Sequence, residues 1–323
     1  MYSHNVNGSY KLPFDKIPLC DFISGDAKYQ STFRWDRAPF AQDTLGSIIQ
    51  NSRNLSLNGQ ANFVKLYNRV PYLKEINNKC DIKVLGAGSN TLIRDGGFNG
   101  AIIKFGKSFS HLSLLDSDKI IAGASALDKN VSNFALENSL SGLEFLSCIP
   151  GTIGGAVRMN SGCYGEEISK ILISVQAIDL KGNIKIIPTS DIKFHYRGSN
   201  LDKDLIFISA TLQGIKNNKI DINDKIEKLV EKKKQSQPSK IKTCGSTFKN
   251  PEQSSAWELI KKSGCSGMKV GNAEISKKHC NFFINNGKAK SHELEELIHQ
   301  VKNKVLKKTG INLELEIQII GEK

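Results

Sequence analysis

Two glycine-rich runs, about 60 residues apart, constrain this chain more than any other feature of its sequence. The first, Gly86-Ala87-Gly88-Ser89-Asn90, follows the short apolar stretch Lys83-Val84-Leu85. The second is Ile149-Pro150-Gly151-Thr152-Ile153-Gly154-Gly155-Ala156, with Asn160 and Gly162 just beyond it. Glycine lets a backbone approach a ligand with no side chain in the way, and successive N–H groups in such turns form concavities that hold anions. The first run alone would be equally well explained by a tight structural turn. The second carries more glycines than a turn needs. A Rossmann loop is excluded, because Thr91 stands where the third glycine would be and Arg94-Asp95-Gly96-Gly97 reads as a turn. Together the runs suit a dinucleotide diphosphate held by a fold of another kind.

Around these runs the chain alternates short strands with glycine turns. Ala101-Ile102-Ile103-Lys104-Phe105 and Lys119-Ile120-Ile121-Ala122 read as strands, with more around 171–179, 183–187 and 205–212. Leu127, Val131, Phe134, Ala135 and Leu140 recur at helical spacing, with Asp128 as the expected N-cap. Past residue 214 helices take over. One ends in Lys232-Lys233-Lys234, cations that suit a helix C-terminus. Ser255 and Glu258 have capping-box spacing for a short helix ending at Gly264, and Ser291 opens a longer one that Gly310 closes. In a final strand Ile311, Leu313, Leu315, Ile317 and Ile319 alternate against Asn312, Glu314, Glu316 and Gln318. Two α+β units with a boundary near residue 214 are expected, behind an aromatic-dotted stretch, residues 1–50, that shows no sustained period.

Composition narrows the function. Lysine and arginine outnumber acids by 45 to 32, and residues 215–323 hold 22 lysines against 13 acids. Most of those lysines alternate with acids on helical stretches, so solvated faces are expected. A nucleic-acid-binding module is disfavoured, since this region has no arginine for base readout and no aromatic-interleaved basic stripe. The first residues lack the features of a signal peptide and no apolar run is long enough to span a bilayer, so no membrane partner is expected either. Seven cysteines without a C-x-x-C pair argue against a metal cluster or disulfide framework and for reduced cytoplasmic thiols. Cys148 and Cys163, which flank the second glycine run, read as packing residues.

Two further segments could carry chemistry. Phe194-His195-Tyr196-Arg197-Gly198-Ser199 sets an arginine beside a tyrosine, a pairing that can hold a carboxylate or a phosphate bidentately. Cys244-Gly245-Ser246-Thr247-Phe248-Lys249-Asn250-Pro251 offers a serine after a glycine. No Ser-His-Asp order accompanies it, so by pattern alone Ser246 is more often a turn residue than an acid or nucleophile. On the last strand, Glu314 and Glu316 fit the polar side equally well.

Taken in order, LGAGSN, IPGTIGGAVRMNSGCYG, FHYRGSN, CGSTFKNP and the terminal LELEIQIIG resemble the bacterial UDP-N-acetylenolpyruvoylglucosamine reductase family, from about residue 55 to 321. The resemblance implies a vanillyl-alcohol-oxidase (PCMH)-type FAD-binding domain over 55–214 and an α+β substrate-binding domain over 215–323. Residues 1–54 would be an extension without a family counterpart. The implied reaction is NADPH-dependent reduction of UDP-N-acetylglucosamine enolpyruvate to UDP-N-acetylmuramate through FAD, for peptidoglycan precursors, by a cytoplasmic monomer. Arg197 and Glu316 would stabilise an enolate, and Ser246 would protonate it. Gly86, Ala87, Gly88, Ser89, Asn90, Pro150, Gly151, Gly154, Gly155, Ala156, Asn160 and Gly162 would hold FAD. Tyr196, Lys249 and Asn250 would lie near the UDP-sugar.

The chain also departs from the family. The usual opening motif is reduced to Leu57-Asn58-Gly59-Gln60-Ala61, and the short stretch between Arg197 and Ser246 matches the subtype without an inserted capping loop. The alternative is another flavin oxidoreductase of the same cofactor fold. Its lineage often tethers flavin through His or Cys, whereas neither glycine run here contains a histidine, so non-covalent FAD is expected.

Overall fold

A computed structural model describes residues 2–17, 22–36, 48–61, 81–239 and 241–323. The chain divides into two compact units, residues 1–79 and 80–323. In the first, β1 (Tyr2–Lys11), β2 (Ile23–Asp36) and β3 (Ile48–Ala61) form an antiparallel meander in the order β1-β2-β3. Its register runs unbroken from Tyr2↔Trp35 to Lys11↔Asp26 and from Ile23↔Ala61 to Asp36↔Ile48. Sequence patterning left residues 1–50 irregular, and the reason is physical. Every residue of β1 is exposed, so no buried face imposes a two-residue apolar period. Residues 57–61, aligned above with the family's opening motif, belong to β3, where Leu57 pairs with Ala27.

The second unit has two cores. Its N-terminal half contains β4 (Asp81–Val84), β5 (Thr91–Ile93), β6 (Gly100–Ile103), β7 (Leu112–Leu114), β8 (Lys119–Gly123), α1 (Asp128–Glu137), α2 (Ile153–Met159), β9 (Leu172–Ile178), β10 (Ile184–Pro188) and β11 (Ile206–Gln213). Five of these strands make an antiparallel sheet in the order β10-β9-β11-β8-β7. Ile120, Val131, Leu146, Ile153, Val157, Val175 and Leu212 are wholly buried between that sheet and the helices. The helix at 128–137 starts differently from expectation. Leu127 is its N-cap, while the Asp128 side chain is buried in the first turn and caps nothing. Helix α3 (Lys219–Ser236) lies past the expected boundary, yet it packs back onto α1 and the Glu144–Cys148 turn.

The second core is built from β12 (Lys242–Ser246), α4 (Ala256–Lys262), β13 (Lys269–Val270), β14 (Ala273–Ile275), β15 (Phe282–Asn285), α5 (Ser291–Thr309) and β16 (Gln318–Ile320). Its sheet runs β12-β15-β14-β13, all antiparallel. Leu297, Val301 and Val305 of α5 are sealed against it together with Phe248, Ile260, Ile275 and Leu313. One expected cap is replaced. The Ser255 hydroxyl caps nothing, and the Ala256 N–H goes to Asn250 Oδ1 at 3.0 Å. Ser291 opens α5 as expected; Lys290 is its N-cap, and the Glu293 carboxylate accepts the Lys290 N–H at 2.9 Å. The final strand pairs regularly only over 318–320, although burial alternates as expected from Leu313 to Ile317.

One short strand ties the cores together. β5 pairs in parallel with β16, Thr91 opposite Gln318, and Leu92 is buried in the second core. Beyond β5, Arg94 grips Glu295 with two bonds of 2.8 Å, and Asp95 accepts both the N–H and the hydroxyl of Ser291. The first glycine run is thus held at both ends, since β4 pairs with β6 just before it.

Phe248 is fully buried directly between Ser246 and Lys249. Phe248→Ala should lower stability by about 3–5 kcal/mol through lost burial and the cavity left behind. Urea unfolding checks this, and an unchanged midpoint would show that Phe248 does not anchor the segment.

Candidate active site

The two glycine runs meet. A Cβ at Gly86 would stand 2.5 Å from Thr152 Oγ1, so the first run lies directly against the second. Gly88 is glycine for a different reason. Its φ is +74°, a left-handed conformation, and no atom lies within 4 Å of where its Cβ would be. The N–H groups from Gly86 to Asn90 find no backbone acceptor among the described residues. A row of free donors over open space, backed by the exposed Gly155, fits the diphosphate of FAD.

Other members of the expected set act from behind. A Cβ at Gly154 would press on Ala124 at 3.1 Å, and one at Gly151 on Asp128 Oδ2 at 2.6 Å. Ala156 is buried in the first core, where its methyl supports the run from behind. Pro150 and Ala87 are exposed at the rim, and Ser89 is half-buried. Gly162 packs against the backbone of Glu166–Glu167. Asn160 caps α2 in a left-handed conformation; its Oδ1 accepts Ser169 N–H at 3.0 Å and its Nδ2 donates to His195 O at 3.3 Å. With both ends of its amide on protein, Asn160 fixes the neighbouring hairpin.

That hairpin, Phe194–His195 paired with Gly198–Ser199, carries Tyr196 and Arg197 at its tip. Arg197 has φ of +58°, uncommon for a non-glycine residue and of the kind that clusters at functional sites. Its Nε donates to Glu316 Oε1 at 2.8 Å and its Nη2 to Gly162 O at 3.1 Å. The guanidinium also sits 4.9 Å from the centre of the Tyr196 ring. Glu316 is therefore the carboxylate that enters the site, whereas Glu314 points outward to Lys249 at 3.6 Å. Glu316 is held by its backbone too: its N–H donates to Thr247 O, and its C=O accepts Asn90 Nδ2 at 3.0 Å. Burial pushes the Glu316 carboxyl above its ordinary range, with the Arg197 charge opposing the shift.

Ser246 ends β12, where the register with β15 shifts between Thr243 and Ser246. Such irregularities re-aim side chains next to active sites. Gly245, at φ of +78°, lies beside Ser89 of the first glycine run, 3.7 Å from its carbonyl oxygen to the Cβ position. The Ser246 hydroxyl is half-buried and bonds to no described residue. Asn250 N–H approaches the Tyr196 hydroxyl at 3.4 Å, so Tyr196, Lys249 and Asn250 share one rim. Arg197, Glu316 and Ser246, far apart in sequence, are thus drawn to one place beside the glycine cradle.

Sequence reasoning missed the residues that hold this arrangement. Asn281, 2% exposed, clamps Phe248 by its N–H and its C=O, at 2.9 and 2.8 Å, and its own carbonyl takes Thr247 N–H. Arg158 bonds to the carbonyls of Asp202 and Leu205 and lies 4.3 Å over the Phe207 ring, fixing the loop that follows the hairpin. Nothing in the pattern distinguishes either from a surface residue.

Residues 72–187 match the FAD binding domain family, and residues 237–320 match the C-terminal domain of UDP-N-acetylenolpyruvoylglucosamine reductase. The reductase of that name from Pelagibacter ubique is 50% identical over 252 residues, 77% of this chain and 83% of its own. The chain belongs to this family. The Rickettsia bellii reductase is 45% identical over 251 residues, 78% of this chain and 83% of its own. The crystal structure of the Thermus caldophilus reductase superposes with a TM-score of 0.68 at 30% identity, covering 77% of this chain and 89% of that one. The fold is therefore the α+β one expected, a PCMH-type FAD-binding domain followed by the family's C-terminal domain.

The raised Glu316 carboxyl has a consequence for stability. A folded-state pKa above the unfolded one means that its contribution is full below the unfolded value and is lost as pH rises through the folded value. Glu316→Gln removes the titration. From about pH 4 upward, the variant's urea midpoint should fall less steeply with pH than that of the parent. Parallel curves for the two would show that Glu316 titrates normally.

Proposed function

We propose that this chain reduces UDP-N-acetylglucosamine enolpyruvate to UDP-N-acetylmuramate with NADPH as reductant, in the supply of peptidoglycan precursors. The observation that carries the reading is the Arg197–Glu316 pair, formed from the two halves of the second unit beside the open Ser246 hydroxyl and the glycine cradle. FAD, when bound, supplies the redox relay between NADPH and the enol ether. The free N–H groups of 86–90 hold its diphosphate, and no side chain is needed as a tether.

The role of Arg197 follows from its donors. With Nε on Glu316 and one Nη2 hydrogen on Gly162 O, Nη1 stays available for the substrate carboxylate. Hydride arriving at the β-carbon builds negative charge on the enolate of that carboxylate, and a guanidinium already in position needs no reorganisation to stabilise it. Glu316, in this pairing, orients the fork. Ser246 then delivers its proton to the α-carbon. Tyr196, Lys249 and Asn250 form the rim that receives the UDP-sugar, and the two halves of the second unit that meet there fall within the expected domains 55–214 and 215–323. Among the described residues no helix is long and apolar enough to cross a membrane. We place the enzyme in the cytoplasm as a monomer, where NADPH and nucleotide sugars are at hand.

Arg197→Lys keeps the charge but loses the planar fork. Steady-state NADPH oxidation with the enolpyruvyl substrate should fall about 100-fold or more. Near-normal turnover would remove Arg197 from the site.

Ser246→Ala separates the two halves of the reaction. Oxidation of NADPH and binding of the sugar nucleotide should be little changed, while reduction of the enol ether slows about 100- to 10,000-fold for want of its acid. Stopped-flow measurement of each half decides the matter, with Cys244→Ala as the neighbouring control. Mild, equal effects on both halves would make Ser246 a turn residue.

A further inference from the structure

The described free thiols are Cys148, Cys163, Cys244, Cys265 and Cys280. Cys265 and Cys280 are buried in the second core, and Cys244 donates to Thr91 O at 3.2 Å. Cys148 and Cys163 differ, because they belong to two segments that pack against each other. Cys148 closes the Glu144–Cys148 turn immediately before the second glycine run. Cys163 lies on the short Gly162–Cys163/Glu166–Glu167 hairpin, which rests on that turn.

The side chains converge. Cys163 Sγ donates to Phe145 O at 3.4 Å, within the same turn that ends at Cys148, and Ser147 Oγ lies 3.7 Å from Cys148 Sγ. Lys233 of α3 reaches over the same spot, its Nζ on Cys148 O at 2.9 Å. The contact between the thiols divides their ionisation. Cys148 is pulled down to about 6, first by its contact with Cys163, then by Ser147 and the Lys233 charge acting against burial. Cys163 is pushed up, by the same contact and by burial. The Lys233 ammonium on the Cys148 carbonyl makes Cys148 the thiol drawn toward ionisation, with Cys163 beside it, the arrangement of an attacking and a resolving cysteine.

We propose that Cys148 and Cys163 form a reversible disulfide under hydrogen peroxide, and that this crosslink turns the enzyme down. The Cys148 thiolate attacks one peroxide oxygen; an S–O bond forms, the O–O bond breaks, and hydroxide leaves. Cys163 sulfur then attacks the sulfenic acid; the S–S bond forms, the S–O bond breaks, and the departing oxygen leaves as water with the Cys163 proton neutralising hydroxide. The sulfur pair loses two electrons and the peroxide gains them. Disulfides are transient and redox-sensing where cytoplasmic proteins use them.

The effect on turnover rests on the role proposed above for Arg197. Gly162, whose carbonyl holds Arg197 Nη2, is the residue before Cys163. Ile149 and Pro150 of the second glycine run follow Cys148 directly. A disulfide holds its two β-carbons within about 4.5 Å, so the crosslink ties the Gly162 carbonyl and the start of the second glycine run to one rigid link.

The test treats FAD-loaded enzyme with hydrogen peroxide, blocks remaining thiols with an alkylating agent, and follows intact mass, peptide map and turnover together. A loss of two hydrogens mapping to Cys148–Cys163 is expected. Turnover should fall in step by on the order of 10- to 100-fold, the scale of a small misplacement at a reacting centre. Dithiothreitol should restore both. Cys163→Ser should keep basal turnover, form no crosslink and stop at the oxidised Cys148; Cys148→Ser, a separate variant, should keep basal turnover and resist peroxide altogether. No crosslink, or one mapping to other cysteines, overturns the proposal, as does a Cys148–Cys163 crosslink that leaves turnover unchanged. The mass readout is independent of Arg197, so normal turnover in Arg197→Lys would defeat the catalytic reading and leave the crosslink standing.

Discussion

The bond between Arg197 and Glu316 is the interaction on which the rest of the site depends. The two side chains are only 19% and 16% exposed, so neither charge could be left there alone without a penalty of several kcal/mol. Arg197 comes from a hairpin packed on the first core, and Glu316 from the chain entering the last strand of the second. The pair therefore exists only when both cores have formed and docked. Each partner is also held through backbone: Asn160 holds His195 O in the hairpin that carries Arg197, while Asn90 and Thr247 hold the two sides of Glu316. Such duplication presets the guanidinium, so little entropy remains to be lost when a carboxylate arrives.

How much of this could be read beforehand depended on whether the physics was local. The glycine runs were legible because left-handed φ and close backbone approach leave a residue-level mark, as at Gly88 and Gly86. The amphipathic faces of α1 and α5 were legible because burial repeats at the helical period. The choice between Glu314 and Glu316 was not legible in the alternation pattern, since both share the polar side of one strand, and it was the family motif that singled out Glu316. In the structure the position of Arg197 separates them physically. Asn281 and Arg158 left no trace for a similar reason: each satisfies backbone groups distant in sequence, and any exposed asparagine or arginine looks the same in the pattern.

Misread elements have a common cause as well. Capping residues were assigned at 128 and 255 from the preference of Asp and Ser for helix starts. At each place a longer-range partner changed the outcome. Asp128 is buried under the second glycine run, and Asn250 takes the first N–H of the helix at 256 while the Ser255 hydroxyl serves none. The N-terminal meander shows the opposite limit. Its strands hydrogen-bond to one another in full register while β1 stays exposed, so pairing there owes nothing to an apolar period.

What distinguishes the site from an ordinary seam between two cores is the kind of polar group left over. Folded proteins pair their polar groups almost completely, and leftovers call for an explanation. Here the N–H groups of 86–90, Nη1 of Arg197 and the hydroxyl of Ser246 lack partners among the described residues, and Gly245 beside Ser89 brings the last of these to the first. All three can donate, and two can only donate. A structural seam would leave donors and acceptors in mixture; a cluster of donors selects for ligands that arrive with negative charge or develop it. A diphosphate, a carboxylate and an enolate carbon awaiting a proton are three such groups. The carboxylate that reaches these donors, Glu316, is bound by the arginine it orients, while Asp128 lies sealed beneath the second glycine run.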